Sequence, residues 1–139
     1  MSIAMPAVQD KSGTEFRSNG QAPNGRLRVV GLSDKERNMA VAIHLSPYAS
    51  LIVGPLAFLA PLVLWLVTKD KCEFGDDHGR EMVNFMISVI VLALISICSV
   101  IGVLFLPVLA VIAVISPIRA AIAAGRGEYF RYPMTIRFL

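Results

Sequence analysis

The chain has 139 residues, 55% of them hydrophobic and 17% charged, with a formal net charge of +3 and a mean hydropathy of +0.66. This length gives one domain, and this composition excludes a disordered chain. The basic residues flank apolar runs and do not gather with aromatics on a polar face, which excludes a nucleic-acid partner. Residues 38–68 and 82–117 hold no formally charged side chain. A bilayer span takes roughly 20 residues at about 1.5 Å each, so the second run is long enough to cross twice. The reading is an integral membrane protein whose first partner is the lipid bilayer.

In chain order, residues 1–32 are polar, contain Asp10 and Glu15, and lack an apolar signal core, so they read as a flexible cytoplasmic tail. Ser33-Asp34-Lys35-Glu36 is a capping box that starts the first helix. Gly54-Pro55 ends it near Val53, because proline has no N–H and clashes with a preceding helical turn. A second helix runs from about Pro55 to Lys69, with Pro61 placed to kink it. Residues 69–81 form the one dense charged loop, and Asp76 or Asp77 caps a third helix running from about His78 to Leu104. Gly102 and Pro107 mark a reversal. The fourth helix runs from about Pro107 to Ala124 and stops at Gly125-Arg126-Gly127. Residues 33–125 are thus a four-helix transmembrane domain.

Trp65, beside Lys69 and Lys71, reads as an interfacial anchor. So do Tyr129, Phe130, Arg131, Tyr132 and Arg137 in an interfacial segment, 126–139, that interleaves rings and cations. Basic residues precede the first apolar run, separate the two runs and follow the second, and none lies near Gly54 or between Gly102 and Pro107. The positive-inside rule then places all three basic regions in the cytoplasm. The fold class is an all-α membrane protein of two transmembrane helical hairpins with cytoplasmic termini, in a bacterial inner membrane. One tilted first helix, giving three crossings, is the alternative.

Polar residues inside or beside the spans are the candidate interaction or packing residues. Asp77, Glu81, Asn84 and Ser88 share one helix face by spacing. His44 lies two turns into the first helix, where an imidazole needs a partner. His78 and His44 have no metal-ligand spacing, and no metal or cofactor is expected. Arg119 snorkels to headgroups or pairs with Glu81 or Asp77. Ala113, Ala120, Ala121, Ala124 and Gly125 permit close helix approach. Cys72 and Cys98 make no disulfide framework.

Four ordered pieces carry a family resemblance: His44-Leu45-Ser46; Ala60-Pro61-Leu62-Val63-Leu64-Trp65-Leu66; residues 76–85 (DDHGREMVNF); and residues 127–138 (GEYFRYPMTIRF). Over about residues 37–139 the chain resembles a family of small bacterial four-helix membrane proteins of undefined function. These are similar to the roughly twenty-kilodalton membrane subunit of the chloroplast inner-envelope protein import translocon. The resemblance implies four transmembrane helices with both termini cytoplasmic or stromal, and supplies no catalytic residue. Relatives carry a lysine where Ala123 stands and an apolar residue where Arg119 stands. The functional expectation is a non-enzymatic subunit, scaffold or assembly and translocation factor that partners other membrane proteins in a larger complex. A small channel or transporter is the alternative, and it needs a polar path that Ser96, Ser99 and Ser116 barely offer.

Overall fold

The computed structural model describes residues 8–9, 15–16 and 22–139, so most of the expected 1–32 tail lies outside the described residues. Val8–Gln9 and Glu15–Phe16 pair as a minimal antiparallel ribbon. Everything from residue 34 to residue 125 that has regular structure is helical: α1 Asp34–Leu45, α2 Ser50–Val53, α3 Ala60–Thr68, α4 Glu73–Ile97, α5 Val100–Val103 and α6 Leu106–Gly125, with 3-10 turns at Ser46–Ala49 and Pro55–Leu59.

The capping box forms as the sequence dictates. Ser33 Oγ accepts the Glu36 N–H, and Glu36 Oε2 accepts the Ser33 N–H at 2.9 Å. At Pro47 the missing N–H frees the Ile43 carbonyl, and the Ser46 hydroxyl takes it at 2.9 Å. The backbone tightens there to a 3-10 turn, then continues as α2. Gly54 breaks the run with φ 111° and ψ 172°, a region essentially closed to residues with a Cβ. The chain reverses, α3 returns beside α1, and the two 3-10 turns pack on each other. Pro61 sits in the first turn of α3 and not in its middle. It needs no N–H there, so it does not kink the helix. No side chain or backbone lies within 4 Å of a Cβ built on Gly54, so replacement there costs backbone strain alone. Gly54→Ala is expected to lower stability by about 1–3 kcal/mol, read from denaturation of the purified protein in mixed micelles; an unchanged midpoint refutes the strained turn.

α4 begins at Glu73, not near His78, so Asp76 and Asp77 lie inside the helix and do not cap it. With 25 residues it is about 38 Å long. Two helical stretches, Glu73–Ile97 and Ile101–Gly125, are long and apolar enough to cross a membrane, and Pro55–Thr68 is a shorter apolar one. α6 ends in a Schellman motif: Gly127 N–H bonds the Ala124 carbonyl and Glu128 N–H the Ala123 carbonyl. Gly127 supplies the left-handed turn at φ 73°, as this motif requires.

α1 packs on α6 and α4, and α3 packs on α4. The contact between α1 and α6 is close because Ala120, Ala123 and Ala124 present no bulk to Ala40 and Ile43, all of them fully or nearly fully buried. The small-residue face is therefore consumed within the bundle. Charged residues gather at the end where α1 and α4 start and α3 and α6 finish. The opposite end is apolar and bare, with Ile52 90% and Leu104 77% exposed.

Candidate functional site

At the charged end a chain of buried polar groups runs between three elements. His44 comes from the last turn of α1 and His78 from the second turn of α4, 34 residues apart. Both are completely buried. His44 Nε2 lies 2.7 Å from His78 Nδ1. On its other side His44 Nδ1 lies 2.7 Å from the Tyr132 hydroxyl, which is also 3.1 Å from Met82 Sδ.

Proton order in this chain runs one of two ways, with the same heavy-atom positions. Tyr132 donates to His44, which donates to His78; or His78 donates to His44, which donates to Tyr132, which donates to the Met82 sulfur. Each N···N or N···O contact holds one proton. The remaining ring nitrogen, His78 Nε2, lies by the Glu128 backbone without a hydrogen bond of ordinary geometry. Aromatic rings wall the chain. Phe74 meets His78 edge-on at 4.4 Å, and Phe85 stacks on Tyr132 at 4.3 Å. The two histidines that sequence spacing kept apart are thus in direct contact, as a hydrogen-bonded pair. No group of three or more metal-ligating side chains forms among the described residues.

The second part of the site is the polar face of α4. Residues 128–139 leave the Schellman turn and run along this helix. They reverse at Pro133 and Met134, where Met134 adopts φ 59°, and return beside α4 toward the charged end. Each member of the strip receives part of this hook. Asp77 binds the Arg131 guanidinium through two bonds of 2.7 and 2.8 Å. Glu81, 5% exposed, lies 3.4 Å from Arg131 and 3.3 Å from Arg137. Asn84 Oδ1 accepts the backbone N–H groups of Phe138 and Leu139, both at 3.1 Å. Ser88 Oγ accepts the Ile136 N–H at 2.8 Å and donates to the Asn84 carbonyl. Irregular backbone beside apolar helices needs acceptors of this kind, because lipid supplies none.

The segment expected at the membrane surface is divided by the fold. Phe130 and Tyr132 are buried in the core and Tyr129 is half-buried, while Arg131 and Arg137 reach outward onto the α4 carboxylates. Burial and the nearby Asp77 and Glu73 carboxylates push the Tyr129 phenol up to about 12. Burial, first, also raises the Tyr132 phenol. The Asp77 carboxylate bonded to Arg131 raises that guanidinium further. Trp65 is turned inward: its Nε1–H donates to Asp76 at 2.8 Å, and its ring lies over Gly79. Arg119 is exposed on α6. The arginines that pair with Asp77 and Glu81 are Arg131 and Arg137, because the hook passes closer to the α4 face than Arg119 does.

Sequence reasoning missed the segment just before α1. Residues 27–29 run antiparallel to 127–129, through Val29 N–H to the Gly127 carbonyl at 2.8 Å and Tyr129 N–H to the Leu27 carbonyl at 2.9 Å. Glu128, 4% exposed, accepts from Asn24 at 2.8 Å and pairs with Arg26 at 3.6 Å. The acid beside the Gly127 turn was the available signal.

The α1–α4–hook arrangement lies inside the part of the chain that can be placed among known proteins. No curated protein and no solved structure matches the chain. Residues 35–139, which hold every helix after the first helical residue and the whole hook, match one family along their full length. The chain belongs to the magnetosome magnetite crystal formation protein family (MamF/MmsF), a family of small bacterial membrane proteins.

Proposed function

We propose that this protein is a multi-pass, non-enzymatic subunit or scaffold of the membrane in which magnetite crystals form, and that it acts by assembling with other membrane proteins there. The family match supports the setting: it is a magnetite crystal formation family. The observation that carries the reading is the two-ended surface of the bundle. One end is charged and hydrogen-bonded to itself, while the rest exposes large apolar side chains such as Ile52, Leu94, Ile101 and Val111. Exposed area of this kind is solvated by lipid or covered by other membrane helices. The two hairpins cross four times, with the charged end and both termini in the cytoplasm of the inner (plasma) membrane or of a compartment derived from it.

Reporter fusions at Val30 and after Leu139 are expected to read cytoplasmic, and a far-side signal from either refutes the two-hairpin topology. Affinity recovery from native membranes in mild detergent is expected to bring other membrane proteins with it, and deletion is expected to alter crystal size or number. Recovery of the chain alone, together with ion conductance in liposomes, replaces this reading with a channel.

A further inference from the structure

We propose that the polar strip of α4 is a receptor for an extended, arginine-bearing peptide segment of a partner membrane protein, and that residues 135–139 occupy it in cis as a displaceable stand-in. The inference rests on the assembly role proposed above and names the surface that performs it.

The two legs of the hook are held very differently. The first leg inserts Phe130 and Tyr132, both buried, among Ile43, Met82 and Phe85. It is part of the core and does not leave without unpacking it. The return leg, by contrast, keeps its large side chains outside and buries only the Thr135 hydroxyl. Ile136 is 48% exposed and Phe138 57% exposed. What holds it are three backbone N–H groups on Asn84 and Ser88, two longer bonds of 3.4 Å from Asn84 and Ser88 to the Leu139 and Ile136 carbonyls, and one ion pair from the largely exposed Arg137 to Glu81. Between the legs stands Met134, a non-glycine residue at φ 59°, a conformation that costs energy for a side chain with a Cβ. A hinge with stored strain therefore separates an anchored leg from a loosely held one.

The strip reads few features of what it binds. Asn84 and Ser88 accept backbone N–H groups, which any extended segment offers. Glu81 selects a guanidinium by charge at the place Arg137 now holds, while Asp77 stays bonded to Arg131 of the anchored leg. A released leg cannot stay bare at this depth, since its N–H groups would lack acceptors in lipid. Exchange for another segment of the same chemistry preserves the bonds on α4. The ligand is accordingly an extended peptide with one arginine opposite Glu81 and apolar side chains facing outward.

The test uses the full chain and a variant ending at Met134, each purified in nanodiscs, with a dye-labelled peptide of residues 133–139 (PMTIRFL) as probe. Fluorescence anisotropy is expected to show at least tenfold tighter binding to the shortened chain than to the full chain, where the cis leg competes. Glu81→Gln in the shortened chain, or Arg137→Glu in the peptide, is expected to remove most of that gain. If the shortened chain does not remain helical and monodisperse, the full-length Arg137→Ala protein takes its place, with binding expected above that of the unmodified chain. Equal binding to competing and non-competing forms overturns the proposal. Dimerisation of the full chain that disappears on shortening names a second copy as the occupant and also overturns it. If partners are recovered from native membranes but are unaffected by Glu81→Gln and Asn84→Leu, this inference fails while the assembly role stands.

Discussion

Gly79→Ala is expected to loosen the contact between α3 and α4 more than any other single-methyl change in the protein. A Cβ at position 79 would lie 2.2 Å from Trp65 Cδ1, 2.5 Å from Cγ and 2.8 Å from Cβ. The last of these atoms is fixed to the α3 backbone, so the indole cannot rotate clear and the helices must separate. Separation also lengthens the Trp65 Nε1–H bond to Asp76, now 2.8 Å, whereas the Asp76–Arg80 ion pair lies within α4 and is retained. Overpacking of this type costs about 1–3 kcal/mol, and the lost indole bond adds about 1 kcal/mol. Gly75→Ala on the same helix is the control. Its Cβ would meet nothing closer than 3.9 Å, so it is expected to stabilise α4 by up to about 1 kcal/mol through helix propensity. Both are measured by denaturation in mixed micelles with Trp65 fluorescence, the single tryptophan of the chain, as reporter. A shift of the same sign for the two variants contradicts the packing described.

Tyr132→Phe is expected to cost about 1–3 kcal/mol, although it deletes one oxygen and keeps the ring. The stack on Phe85 survives, but the buried His44 Nδ1 loses its partner at 2.7 Å. His44→Leu is expected to be worse, because it strands His78 Nδ1 and leaves the Tyr132 hydroxyl only the weak Met82 sulfur acceptor. The two changes act on one chain, so their costs are expected to be less than additive, with a coupling of about 0.5–2 kcal/mol. Additivity within a few tenths of a kcal/mol in the double-mutant cycle disproves the chain as an energetic unit. Hook mobility gives a second reading. Tyr132 ties the first leg to α1 and α4, so a spin label at Ile136 is expected to gain motion in Tyr132→Phe.

Much of the fold is written locally in the chain. Ser33 and Glu36 cap α1, Gly54 breaks the first apolar run, and Gly127 terminates α6, because each acts through backbone groups within a few residues of itself. The basic clusters and the uncharged runs between them fix which ends of the helices share a side, since charge is expensive in hydrocarbon wherever the rest of the fold sits. The shared face of Asp77, Glu81, Asn84 and Ser88 also follows from helical spacing alone. What faces that strip does not. Ser88 meets residue 136 and His44 meets residues 78 and 132, and no periodicity encodes pairings across 34 to 88 positions. The start of α4 was hidden for a related reason: Gly75 and Gly79 resemble loop residues until Trp65 is seen to need the space. The aromatic and basic tail looked interfacial because its residues suit water and lipid together. Only the tertiary structure sends the Phe130 and Tyr132 rings inward and Arg131 and Arg137 onto α4, because the polar face of that helix satisfies backbone groups of this segment.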